Sequence, residues 1–160
     1  MKTIDILGDN RYETYTKTRV ACRGITLDHG KMLVSHEETD DLYLIPGGGL
    51  EAGETPEDCV CRELLEETGY VVRPERKFLV INEYYEEYKF ETHYFICSVT
   101  GRGERSLTEH EREVGLEPRW CDVGEVSDIF SRHADYAATN EEKRGMYLRE
   151  YTALDEFLSE

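Results

Sequence analysis

Between Thr18 and Leu27 apolar side chains recur among polar ones, with Val20, Cys22 and Ile25 in the series, and this pattern predicts a strand. Asp28-His29-Gly30 supplies a turn, and Lys31 to Ser35 returns as a second strand, so the pair predicts a hairpin. Before them lies an N-terminal arm read as polar. Leu42 to Ile45 is a third short apolar run. It stops at Pro46-Gly47-Gly48-Gly49, a tract that no regular element is expected to tolerate.

The period then changes. Thr55-Pro56-Glu57-Asp58 opens a helix, with Thr55 as N-cap, Pro56 at the first helical position and Asp58 three residues after the cap. The helix is predicted to run to Thr68, with Gly69 as its stop. Lys77 to Glu83 and Thr92 to Val99 read as strands joined through Tyr84, Tyr85 and Tyr88, and Gly115 to Val123 as a last strand around Trp120. A short helix over Val126 to Phe130 and a longer one from Glu141 to Leu158 close the chain. In the longer helix Tyr147, Tyr151, Leu154 and Leu158 share a face. Strands, one central helix, more strands and terminal helices predict an α+β fold, an α/β/α sandwich around a central mixed sheet. No repeat, low-complexity tract or linker divides residues 1–160, so one domain is expected.

Composition narrows the partners. Hydrophobic residues form 39% of the chain, enough for a packed core and against wholesale disorder. The formal net charge of −16 argues against a nucleic acid or an anionic membrane as the main partner. Anionic small molecules stay open, because a bound divalent cation reverses the local field. Cys22, Cys59, Cys61, Cys97 and Cys121 lack zinc-type pairing and are expected as free, mostly buried thiols in a reducing cytosol. The first residues, Met1-Lys2-Thr3-Ile4-Asp5, offer no signal-peptide core and no segment is apolar enough to span a bilayer, so a cytoplasmic address is expected. Nothing marks an interface; the oligomeric state is open, a homodimer included.

The chemistry concentrates between Gly48 and Tyr70. Glu63, Glu66 and Glu67 stand at i, i+3 and i+4, so their carboxylates share one helical face, where they repel one another unless a cation sits among them. Mg²⁺ takes such oxygens and bridges to substrate phosphates. Arg62 is placed to pair with a carboxylate such as Glu54 and to hold the incoming loop on the helix. Gly47, Gly48 and Gly49 let the backbone approach a ligand closely.

Taken together, Gly48, Glu54, Arg62, Glu63, Leu64, Glu66, Glu67 and Gly69 fall at the spacing of the Nudix box, and the segment resembles that of the MutT-like Nudix hydrolases. Tyr70 departs from the aliphatic residue usual at the end of the box. The resemblance implies a Nudix fold and a loop–helix–loop that binds divalent cations, Mg²⁺ with Mn²⁺ as substitute, under a diphosphate. By position it makes Glu63, Glu66 and Glu67 metal ligands, adds the Gly47 carbonyl, and gives Glu54 and Arg62 a bracing role. It also implies cations that stabilise phosphoryl charge and activate water.

A general base is expected either in the box, at Glu63 or Glu66, or on a late polar loop that carries Glu109, His110, Glu111 and Glu113; Glu113 is chosen there. Tyr88 is the candidate for stacking on a substrate base, against a competing role in sheet-edge packing. The implied activity is Mg²⁺-dependent cleavage of a phosphoanhydride, in a nucleoside diphosphate linked to another moiety or in a nucleoside triphosphate. The alternative is a Nudix-fold nucleotide sensor without hydrolysis. Such modules usually lose box carboxylates, and none is missing here. An RNA-end pyrophosphohydrolase finds no basic track to support it.

Overall fold

The computed structural model describes residues 1–160. Its strands are β1 (Lys2–Leu7), β2 (Lys17–Asp28), β3 (Lys31–Glu37), β4 (Leu42–Leu44), β5 (Gly47–Gly49), β6 (Tyr70–Tyr85), β7 (Tyr88–Arg102) and β8 (Leu116–Asp122). The helices are α1 (Pro56–Thr68), α2 (Glu109–Glu113), α3 (Val123–Ser131) and α4 (Glu141–Leu158), with a 3-10 turn at His133–Tyr136. The strands follow the order β1-β6-β7-β2-β3-β4, with β5 added on β2 and β8 on β3. β1 runs parallel to β6 and β2 parallel to β7, while β6–β7 and the β3–β4 and β3–β8 pairs are antiparallel. The sheet is therefore mixed, as expected.

Strand alternation sends side chains to two separate cores. On one face Cys22, Val72, Phe95 and Cys97 pack against Cys59, Val60 and Leu64 of α1. On the other, Ile25, Leu79, Ile81 and Tyr94 meet Val126 and Phe130 of α3 and Tyr147, Ala153 and Leu154 of α4. Helices thus cover both faces of the sheet. No helix is long and apolar enough to cross a membrane.

Both long helices match their predicted bounds. Thr55 Oγ1 accepts from the Asp58 N–H at 3.1 Å, and α1 stops at Gly69. Several expectations are corrected. The N-terminal arm is in part a strand, because Ile4 and Ile6 alternate toward the core and β6 lends a partner from Leu79 to Tyr84. The glycine tract is also a strand: Gly47, Gly48 and Gly49 pair antiparallel with Arg23, Cys22 and Ala21. β6 begins at Tyr70, well before Lys77, and tolerates Pro74 through bulges on either side of it. The late polar segment forms α2, closed by a capping box between Thr108 and Glu111. Leu158 leaves the buried face of α4 and is 53% exposed.

Candidate active site

Glu54 and Arg62 fasten the approach to α1. Arg62 Nε donates to Glu54 Oε2 at 2.7 Å and Nη2 to Glu54 Oε1 at 2.9 Å, a fork-to-fork pair. The same guanidinium reaches the Gly49 carbonyl at 3.0 Å, so one side chain ties the loop, β5 and the helix together. The hydrogen bonds from Arg62 hold the Glu54 carboxyl down at about 2, opposed only in part by burial.

Gly47 and Gly48 lie where side chains would collide. A Cβ on Gly47 would come within 2.1 Å of the Cys22 carbonyl oxygen, and one on Gly48 within 2.5 Å of the Glu63 carboxylate. β5 is thus pressed between β2 and the acidic face of α1. Glu63, Glu66 and Glu67 share that face. Arg62 Nη1 lies between the first two, 2.9 Å from Glu63 Oε1 and 3.2 Å from Glu66 Oε2. Glu67 points inward and is nearly buried. It accepts from Ser35 Oγ at 3.0 Å and from the Gly47 N–H at 3.3 Å. Burial pushes its carboxyl up to about 8, against the pull of the Arg23 charge, and burial also raises Glu63.

No three carboxylate or histidine side chains converge on one point, since Arg62 spans Glu63 and Glu66. The donor set nevertheless fits a hard divalent cation. All of its side-chain donors are carboxylate oxygens, and the buried acid at Glu67 is one whose charge a cation would balance. A thiol or imidazole, as a softer metal prefers, is not among these residues.

Beside Gly48 and Gly49 opens a cavity of about 650 Å³, between β2, the ends of β6 and β7, and α4. Tyr85 and Phe90 line it. Tyr88 does not: it sits at the start of β7, stacked on Phe90 at 5.3 Å with Lys17 over its ring. Glu113 ends α2 exposed. The α2 residue whose charge acts on both Glu63 and Glu67 is Glu111, raising both. Sequence reasoning named Glu111 among the candidates but chose Glu113, although the Thr108–Glu111 capping spacing marked Glu111 as ordered. It missed Arg23 and Arg149, whose places beside the cavity depend on the pairing of β2 and on the packing of α4. The Tyr70 hydroxyl oxygen accepts from Trp120 Nε1–H at 3.0 Å, a packing role that an aliphatic residue could not fill.

Comparison with known proteins gives a consistent picture. Residues 16–142 match the family model described as the NUDIX domain. The chain is 29% identical to a Bacillus subtilis protein provisionally named an ADP-ribose pyrophosphatase, over 84% of this chain and 73% of that one. It is 28% identical to the mouse diphosphoinositol polyphosphate phosphohydrolase 3-alpha, over 84% of each. Among solved structures, a NUDIX hydrolase from Nitrosomonas europaea superposes with a TM-score of 0.59 at 21% identity, covering 84% of this chain and 88% of that one. At that identity the likeness speaks for the fold alone.

Proposed function

The chain belongs to the Nudix family, and from that premise we propose a Mg²⁺-dependent pyrophosphohydrolase that acts on a nucleoside diphosphate linked to another moiety, with nucleoside triphosphates as the nearest variant. That the chain is a Nudix hydrolase, an enzyme of phosphoanhydride bonds, rests on the family. The finer reading rests on one observation: the carboxylate face of α1 meets β5 at Gly48, and Gly48 also lines the cavity.

Glu63, Glu66 and Glu67, with the Gly47 carbonyl, would hold the cation. When bound, it supplies charge stabilisation at the phosphoryl oxygens and an acidified water. Arg62 and Glu54 keep α1 and β5 in register, so that the carboxylates and the glycine backbone face the same phosphoryl group. Glu111, half-buried and tied to the Thr108 N–H at 2.8 Å, is the ordered carboxylate of α2 and is taken as the proton acceptor in place of the exposed Glu113. The relatives' names suggest ADP-ribose or an inositol pyrophosphate as substrate. Five glutamates and three arginines line the cavity, an unfavourable balance for a densely phosphorylated ring.

A substrate panel tests this proposal. ADP-ribose, dinucleoside polyphosphates, nucleotide sugars, nucleoside triphosphates and a diphosphoinositol polyphosphate are each offered with Mg²⁺, Mn²⁺ or EDTA. Metal-dependent turnover of a nucleotide class is expected. Nucleotide binding without turnover of anything would favour the sensor alternative instead.

A further inference from the structure

Five buried side-chain polar atoms have no partner within the protein, and three of them belong to residues that line the one cavity beside β5: Arg23 Nε, Tyr85 Oη and Arg149 Nη2. Unsatisfied buried groups are few in native proteins, so their gathering at one place calls for a cause. All three can donate a hydrogen, and the two arginine nitrogens can do nothing else. The missing partner is therefore an acceptor-rich group.

The three donors are held close together by the fold. Arg149 Nε donates to Glu150 Oε1 at 3.0 Å, and Arg23 Nε stands 4.0 Å from the same oxygen, beyond hydrogen-bond reach. Tyr85 Oη lies against Gly145, one helical turn before Arg149 on the same face of α4. Arg23 is anchored by its Nη1, which donates to the Ile45 carbonyl at 2.7 Å, and its register partner is Gly47. Arg23 thus stands where the cavity meets the glycine strand, with Tyr85 and Arg149 on the α4 side of it. Glu142 also lines the cavity, seven residues and about 10 Å back along α4 from Arg149.

We propose that Arg23, Tyr85 and Arg149 form a subsite that binds a phosphoryl group of the substrate, the one turned away from the carboxylate face of α1. An oxyanion with several acceptor lone pairs answers all three donors at once. Glu150, 3.0 Å from Arg149 Nε, and Glu83, 3.5 Å from Arg149 Nη1, already balance the two guanidiniums, so the group is held by directed hydrogen bonds and not by excess positive charge. The inference rests on the proposed function and deepens it. The diphosphate lies across β5, with one phosphoryl group toward Glu63, Glu66 and Glu67 and the other in this subsite. The uncharged remainder extends toward the acidic mouth, where Glu142 accepts from hydroxyl or amino groups.

Calorimetric binding of the non-hydrolysable analogue α,β-methylene-ADP, in Mg²⁺, tests the subsite on wild type, Tyr85→Phe and Arg149→Lys. Tyr85→Phe removes a hydroxyl that has no partner in the protein, so its melting temperature should be no lower than wild type. Its affinity should fall about threefold, an effect that a packing role would not produce. Arg149→Lys keeps the charge, loses the planar fork, and should bind about tenfold more weakly. Wild-type affinity in both variants, or no binding by the wild type, would overturn the subsite. Failure of the substrate panel with binding and its mutational loss intact would overturn the hydrolase reading and leave the subsite standing.

Discussion

Glu66 is the most exposed carboxylate of the α1 face, its side chain 39% accessible, and the protein leans on it least for stability. Glu66→Gln should therefore lower turnover roughly 100-fold or more while leaving the thermal melt in place. Initial rates beside a melting curve check both halves, and near-normal turnover would remove Glu66 from the metal site. The base is decided by a paired comparison. Glu111→Gln keeps the capping hydrogen bond to the Thr108 N–H, held at 2.8 Å, and removes only the charge. It should cost about tenfold or more in kcat, whereas Glu113→Gln should cost little. The reverse ranking restores Glu113. At this scale the box was legible because its spacing is local. Each box residue lies on one helix or the loop before it. Tyr85 and Tyr88 were not separable, because strand pairing, and not the tyrosine count, decides which ring lines the cavity.

Among the elements, α4 does more than cover the sheet. Glu150, fully buried, accepts from the Ile45 N–H at 2.6 Å, from Tyr94 Oη at 2.6 Å and from Arg149 Nε at 3.0 Å. Arg23 grips the Ile45 carbonyl from the other side, so the residue just before Pro46 and β5 is held at both ends of its backbone. Glu150→Leu would leave three donors unanswered and should cost about 3–5 kcal/mol. For a chain of this size that is a fall of roughly 10 °C in Tm, read by calorimetry. A shift of a degree or two would show that the clamp is dispensable. The 3.6-residue period and end signals of α1 and α4 made both helices readable, and the apolar alternation did the same for β2 and β3. β1, β5 and the first half of β6 were hidden for a physical reason. Polar residues, three glycines and Pro74 have poor strand propensity, and only partners far along the chain complete their hydrogen bonds.

For the molecule as a whole, a net charge of −16 surrounds a site read as binding an anion, and a bound cation would reconcile the two. Glu67 makes that dependence measurable. Its carboxyl, at 4.5 in an unfolded chain, is pushed up to about 8 by burial, so the folded state binds the proton more tightly. Without metal, stability from this group is fully present below about 4.5 and is lost as pH rises toward 8. A cation competes with that proton, so the rise in Tm on adding Mg²⁺ should grow with pH across the same window. A Mg²⁺ effect that shrinks with pH would contradict the assignment. The most direct test of the carboxylate face as the proposed metal site titrates Mn²⁺ into wild type and Glu67→Gln, reading free Mn²⁺ by electron paramagnetic resonance. Glutamine removes the ionisable carboxyl and keeps the side-chain shape, so the fold should persist. The account predicts saturable binding by the wild type and affinity at least about tenfold weaker in the variant. Equal binding by the two proteins would place the metal elsewhere and contradict it.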